Sequence, residues 1–277
     1  MDLSFYAPKR RLESSALFSL KGVVSTDVYE ILSQAIRLRT RLKHKEDVKF
    51  FSDRTAVLFT DKRDNHISMA FTAAVTTLGG RPITLCASET PEDTARRVAL
   101  AQDMGASAIF FDLEDLGGII PLLPQTGEFF NANERTGPVP ALATVLAVEK
   151  LYPSLIGTSA AVYEKETPSE VAIAFAKAQV PLNVFPCHGE SAAAIEYLSQ
   201  FTKVSVGAGA QKRSDVTVFD RDDPAALNAI LGDGENVVVS VASPLIGTLE
   251  AKGKHRLSYD AATCVKEVIA AILSLIG

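Results

Sequence analysis

Apolar residues along the chain fall into two alternating rhythms. Val28, Ile31, Leu32, Ala35, Ile36 and Leu38 recur at helical spacing and predict a helix over 25–45, with Ser25, Thr26 and Asp27 offering N-cap chemistry. The next run, TAVLF at 55–59, is short and continuously apolar, as in a parallel strand buried on both faces. A polar loop at 60–65 leads into a predicted helix over 66–78, stopped by Gly79-Gly80. A strand at 82–85 follows. The helix over 91–104 then starts with Pro91 and carries Glu92 and Asp93 in its first turn, where the helix dipole favours acids. Strands at 108–111 and 129–132 complete this half. A helix over 141–151 ends at Pro153.

The rhythm then restarts. Strands are expected at 159–163, 182–185, 203–206, 216–219 and 237–241, and helices at 168–178, 191–201, 224–231 and 260–276. Strands alternating with helices predict parallel sheets covered on both faces. The break near 141–155 divides the chain into two doubly wound α/β domains joined by a helix. The expected domains are 1–148 and 149–277, with the last helix, 260–276, packing back toward the first. Ligands of such sheets sit at the carboxyl ends of the strands, and a cleft between domains is the default site.

Composition narrows the function class. The 277 residues are 47% hydrophobic and 22% charged, which suits a globular chain and not a disordered one. A net charge of −5 argues against a nucleic-acid surface. Arg37, Arg39, Arg41, Lys43 and Lys45 read as a solvated helix face. No run of about 18 apolar residues is present to span a membrane, and MDLSFYAPKRR lacks an apolar signal core. Cys86, Cys187 and Cys264 are too sparse for a disulfide framework and are expected as buried thiols in a reducing compartment, the cytoplasm.

Several segments, in order, resemble the aspartate/ornithine carbamoyltransferases, nearer the aspartate branch. They are TLGG (Thr77–Gly80), ETPEDTARRVALAQDMGASAIFFD (Glu89–Asp112), FFNANERTGPVPALATVLAVEK (Phe129–Lys150) and SPLIGTLE (Ser243–Glu250). The likeness is firmest from Asp27 to Lys150. It implies the two-domain fold, no cofactor or metal, and a homo-oligomer, a trimer by resemblance, or a hetero-oligomer with an active carbamoyltransferase chain. Carbamoyl phosphate is small and anionic. Its phosphate needs cations and N–H donors at a helix N-terminus, and its carbonyl needs oxyanion donors.

The matched motifs have lost those groups. The family's Ser-Thr-Arg-Thr-Arg loop aligns with Asp64-Asn65-His66-Ile67-Ser68, which contains no arginine and begins with an acid. The His-Pro-Thr-Gln motif aligns with Gly137-Pro138-Val139-Pro140, whose two prolines are read as shaping the turn into the 141–151 helix. The family's lysine before the next helix has no match in 87–91, and Asp112 stands where an arginine is expected. His-Pro-Leu-Pro-Arg becomes Ser243-Pro244-Leu245-Ile246-Gly247, and the acceptor-binding arginine has no counterpart in 164–167. Each lost charged hydrogen bond forgoes about 1.5–3 kcal/mol. The expected function is therefore a carbamoyltransferase-like protein without normal carbamoyl transfer, acting as a structural or regulatory subunit. The alternatives are a divergent carbamoyltransferase and a small-metabolite sensor.

No residue stands out as catalytic. The ligand-binding candidates are Lys62, Arg63, Asp64, Asn65, His66, Ser68, Asn131, Gly137, Pro138, Pro244 and Leu245. Asp64 or Asn65 also suits a plain N-cap. Cys187-His188-Gly189-Glu190 and Gly207-Ala208-Gly209-Ala210 read as loops, Asp222-Asp223 as a helix cap, and Glu164, Glu166 and Glu170 as an exposed face. Lys212-Arg213 could replace a missing cation.

Overall fold

The computed structural model describes residues 11–62, 65–133, 136–152, 154–164, 168–186, 191–207, 214–220, 237–239 and 256–276. Their elements follow the predicted alternation. The first half holds β1 (Ala16–Leu17), α1 (Ser25–Lys43), β2 (Thr55–Thr60), α2 (His66–Thr77), β3 (Arg81–Cys86), α3 (Pro91–Asp103), β4 (Ala106–Asp112) and β5 (Phe129–Asn131). The second holds β6 (Ala160–Glu164), α5 (Glu170–Lys177), β7 (Leu182–Phe185), α6 (Ala192–Ser199), β8 (Val204–Val206), β9 (Val216–Asp220) and β10 (Val237–Val239). Between them lies α4 (Pro138–Leu151), and α7 (Arg256–Leu275) comes last.

Each half is one parallel five-stranded sheet, in the orders β1-β5-β4-β2-β3 and β10-β9-β6-β7-β8. Alternate residues of β2 serve opposite faces, as the two-residue period of a strand requires. Ala56 and Leu58 join the large core shared with α1, α2, α4, α5 and α7, whereas Val57 and Phe59 face a smaller core with Ile109, Phe111, Phe129 and Val98 of α3. Helix α7 packs on α1, α2 and α4, so the last described helix returns to the helices of the first half. Side chains cap four helices, and of these caps Asn65 is the one expected from the sequence. Asn65 accepts from Ser68 N, Thr90 from Asp93 N, Ser169 from Ala172 N and Ser191 from Ala194 N.

Several expectations change. Helix α1 has no side-chain cap; its N-cap is Val24, and Asp27 instead accepts from the backbone N–H groups of Glu13 and Ser14, both at 3.0 Å. Pro138 and Pro140 lie inside the first turn of α4 and do not precede it, because a missing N–H costs nothing where no intrahelical acceptor is available. Glu164 is fully buried and Glu170 partly so, each accepting from backbone N–H groups, so the acidic face is not solvated. Arg39 leaves the basic face for an ion network, and Cys86 is exposed while Cys264 is buried. β1 and the 3-10 turns at Leu20–Gly22 and Ile120–Leu122 were too short to register as periodic patterns. The expected helix at 224–231, Pro153, and Cys187 with its neighbours lie outside the described residues.

Candidate functional site

The carboxyl edge of the first sheet is formed by the last residues of three adjacent strands. Thr60 of β2 is in register with Asp112 of β4, and Phe111 of β4 with Asn131 of β5. Helix α2 begins just beyond β2, which brings Asn65 over this edge. Asn65 Nδ2 donates to Asp112 Oδ2 at 2.5 Å, while its Oδ1 accepts from Ser68 N at 2.8 Å. The Thr60 hydroxyl lies 3.2 Å from Asp112 Oδ2 and 3.0 Å from the Lys62 carbonyl, and donates to one of them at a time. Asp112 is fully buried, and its Oδ1 has no hydrogen-bond partner among the described residues.

A carboxylate of the chain itself is thus tied, through Asn65, to the N-terminus of α2. Helix N-termini attract anions, and here the anion is built in. The nearby cation is diverted: Lys62 Nζ is 3.5 Å from Glu114 Oε1, near the surface. His66 opens α2, and Ser68 Oγ is buried without a hydrogen-bond partner among the described residues. Arg63 and Asp64 lie outside the described residues, as do Pro244, Leu245 and Lys212-Arg213.

The second loop is closed by its own backbone. Asn131 Oδ1 accepts from Asn133 N at 2.9 Å, Asn133 Oδ1 from Thr136 N at 3.1 Å, and the Asn133 carbonyl from Gly137 N at 2.9 Å. A Cβ on Gly137 would stand 2.6 Å from Asn133 O, 2.7 Å from Asn133 N and 2.9 Å from Asn131 O. No side chain fits there, so a histidine could not occupy this position in this loop. Pro138, Val139 and Pro140 are all buried, and the two prolines remove two N–H donors from the start of α4.

The structure therefore brings Asn65 and Ser68 together with Thr60 and Asp112, and separately links Asn131 to Gly137. Thr60 and Asn133 were not among the sequence candidates, although Thr60 directly follows the TAVLF run, a position that puts it at the carboxyl edge. A groove of about 890 Å³ runs from Thr60 and Ser68 along the outer face of α2 to the edge strand β3, past Met69, Thr72, Thr84 and Cys86. It follows the sheet edge, away from the expected cleft between halves, and among the described residues no charged side chain lines it. Among the described residues, no three His, Cys, Asp or Glu side chains gather as a metal site, and no helix is long and apolar enough to cross a membrane.

Paired five-stranded parallel sheets, with a connecting helix and a last helix returning to the first sheet, define the carbamoyltransferase fold. Aspartate transcarbamoylase from Trypanosoma cruzi, in complex with phosphate, superposes with a TM-score of 0.72 at 15% identity, over 98% of this chain and 99% of that one. Ornithine carbamoyltransferase from Pyrococcus furiosus gives 0.73 at 15%, over 98% of both chains. The catalytic subunit of M. jannaschii aspartate transcarbamoylase gives 0.68 at 15%, over 95% and 98%. No family model matches the sequence. No curated protein matches it either.

Proposed function

We propose that this protein uses the carbamoyltransferase fold without carbamoyl transfer, as a structural or regulatory subunit. The observation that carries this reading is Asp112. Its carboxylate, held by Asn65, supplies the negative charge near the α2 N-terminus that a ligand phosphate would otherwise bring. A second anion there meets repulsion, with the described Lys62 already beside Glu114. The closed Asn131–Gly137 loop supports the same conclusion, because a donor side chain cannot be placed at 137. The reading also divides the chain at 148/149, inside α4.

A subunit needs a surface. The edge strand β3 exposes Ile83 and Leu85 on its α3 face, and the partner proposed for it is a second copy in a homo-oligomer, or an active carbamoyltransferase chain. The threonine-rich groove on the α2 face of this edge, whose described lining carries no charge, favours a second reading, a sensor of a small neutral metabolite.

Calorimetry with carbamoyl phosphate and with a bisubstrate phosphonate analogue tests the main reading. The expected result is no binding at millimolar ligand; micromolar binding overturns it. A thermal-shift screen of neutral metabolites tests the sensor reading, which a hit competing with groove substitutions supports.

A further inference from the structure

The six residues 18–23 connect the two halves of the molecule by a route separate from α4. At its start this strap belongs to the first sheet. β1 pairs with β5, and the Phe18 ring lies 6.2 Å from Phe111 and 6.3 Å from Phe129. Asn131 Nδ2 donates to the Phe18 carbonyl at 3.3 Å, so the strap also touches the candidate-site loop.

One residue later the partners change to the second half. Ser19 Oγ donates to Glu170 Oε1 at 2.5 Å, and Leu20 N to Glu170 Oε2 at 2.7 Å. Lys177, two turns further along α5 and only 2% exposed, donates from Nζ to the Leu20 carbonyl at 2.6 Å and to the Val23 carbonyl. Tyr197 of α6 donates to the Lys21 carbonyl at 2.9 Å. Leu20 itself is fully buried in the shared core.

A lone buried ammonium and a carboxylate on one helix face are costly unless each is fully used. Here Lys177 bonds backbone carbonyls, and Glu170 a backbone N–H and the Ser19 hydroxyl, of a strap from the other half. The strap needs no regular secondary structure of its own beyond one 3-10 turn, so these side chains hold it in place.

We propose that the strap is a latch between the halves, fastened by Glu170 and Lys177, which fixes the Asn131–Gly137 loop relative to the second sheet. The halves cannot move apart, nor the loop reorganise, until the latch releases. This inference is independent of whether the protein transfers carbamoyl groups.

Amide hydrogen exchange of the full chain tests it, using peptides over 16–24, 129–137 and 28–40. Glu170→Gln and Lys177→Met are expected to raise exchange of the Leu20 amide at least tenfold and that of the 129–137 peptide severalfold, with 28–40 unchanged. Tyr197→Phe, which removes a single outer bond, is expected to act in the same direction, more weakly, and serves if the buried substitutions unfold the chain. Faster exchange in the strap alone overturns the coupling, because the contact would then be only a local fastening. Unchanged exchange in the strap overturns the latch itself.

Discussion

The helical layer and the carboxyl edge of the first sheet both withdraw carboxylates from water, yet they hold them differently. In the layer, Arg39 Nε and Nη2 donate to Glu267 Oε2 at 2.9 and 2.8 Å, and Nη1 to Glu149 Oε2 at 2.7 Å, with Lys150 3.7 Å from Glu267. Burial works against the Arg39 cation, but hydrogen bonds and charge attraction from Glu267 and Glu149 outweigh it and hold the proton more firmly than usual. At the sheet edge, Asp112 is held by the neutral side chains Asn65 and Thr60. The layer joins α1, α4 and α7 with opposite charges balanced, which is the arrangement of a structural joint. At the edge, the hydrogen-bond partners of the Asp112 carboxylate among the described residues are uncharged. The two regions thus differ in how each compensates a buried charge.

The largest expected effect tests the joint. Arg39→Ala leaves Glu149 and Glu267 facing each other with most of their compensation removed, and should cost about 3–5 kcal/mol in chemical denaturation. A loss under 1 kcal/mol would show that the network is solvated and erase the contrast with the edge. Next comes the closed loop. Gly137→Ala pushes a Cβ into the Asn133 backbone and should cost about 2–3 kcal/mol, with Gly137→His costing more and restoring no carbamoyl phosphate binding. Asp112→Asn removes the charge at nearly constant shape. It should lower stability by about 1 kcal/mol, and any binding of inorganic phosphate measured by calorimetry should strengthen in the variant. Equal phosphate affinity in both proteins would mean that Asp112 does not guard the helix terminus.

The smallest effect at neutral pH becomes visible in alkali. Burial pushes the Cys264 thiol, beside Glu267 and Lys150, from its ordinary 9 up to about 12, and the Tyr29 phenol from 10 up to about 12. Between those values the unfolded chain releases protons that the native protein keeps, so stability falls as pH rises from about 9 to about 12. Cys264→Ala should cost about 1 kcal/mol at pH 7 and flatten that alkaline decline, as read from denaturation midpoints across the pH range.

Most of the architecture was legible because each element carries its own local pattern. The 55–59 run is buried on both faces, and the helical stripe from Val28 to Leu38 packs into the core. Capping residues such as Asn65 and Ser169 also act within three residues of themselves. The site was less legible because its partners are distant in sequence. Asn65 and Asp112 are 47 residues apart, and Ser19 and Glu170 are 151 apart. Glu164 and Glu170 looked solvated because sequence shows charge but not which backbone amides approach it. The need for glycine at 137 depends on where the Asn131–Asn133 backbone turns, which no spacing rule encodes. Pro138 and Pro140 were misplaced for a simpler reason: proline both ends helices and begins them.

The return of α7 to the first sheet has a consequence in time. Arg54, at the entrance to β2, donates to the carbonyl of Ile276, 222 residues later. At a synthesis rate of roughly 5–20 residues per second, the chain from Arg54 to its partner Ile276 takes about 10–45 s to make. During that interval the apolar faces of α1, α2 and α4 have no cover from α7. Until α7 is made, part of the largest core stays exposed, the kind of surface that makes a nascent chain prone to aggregate.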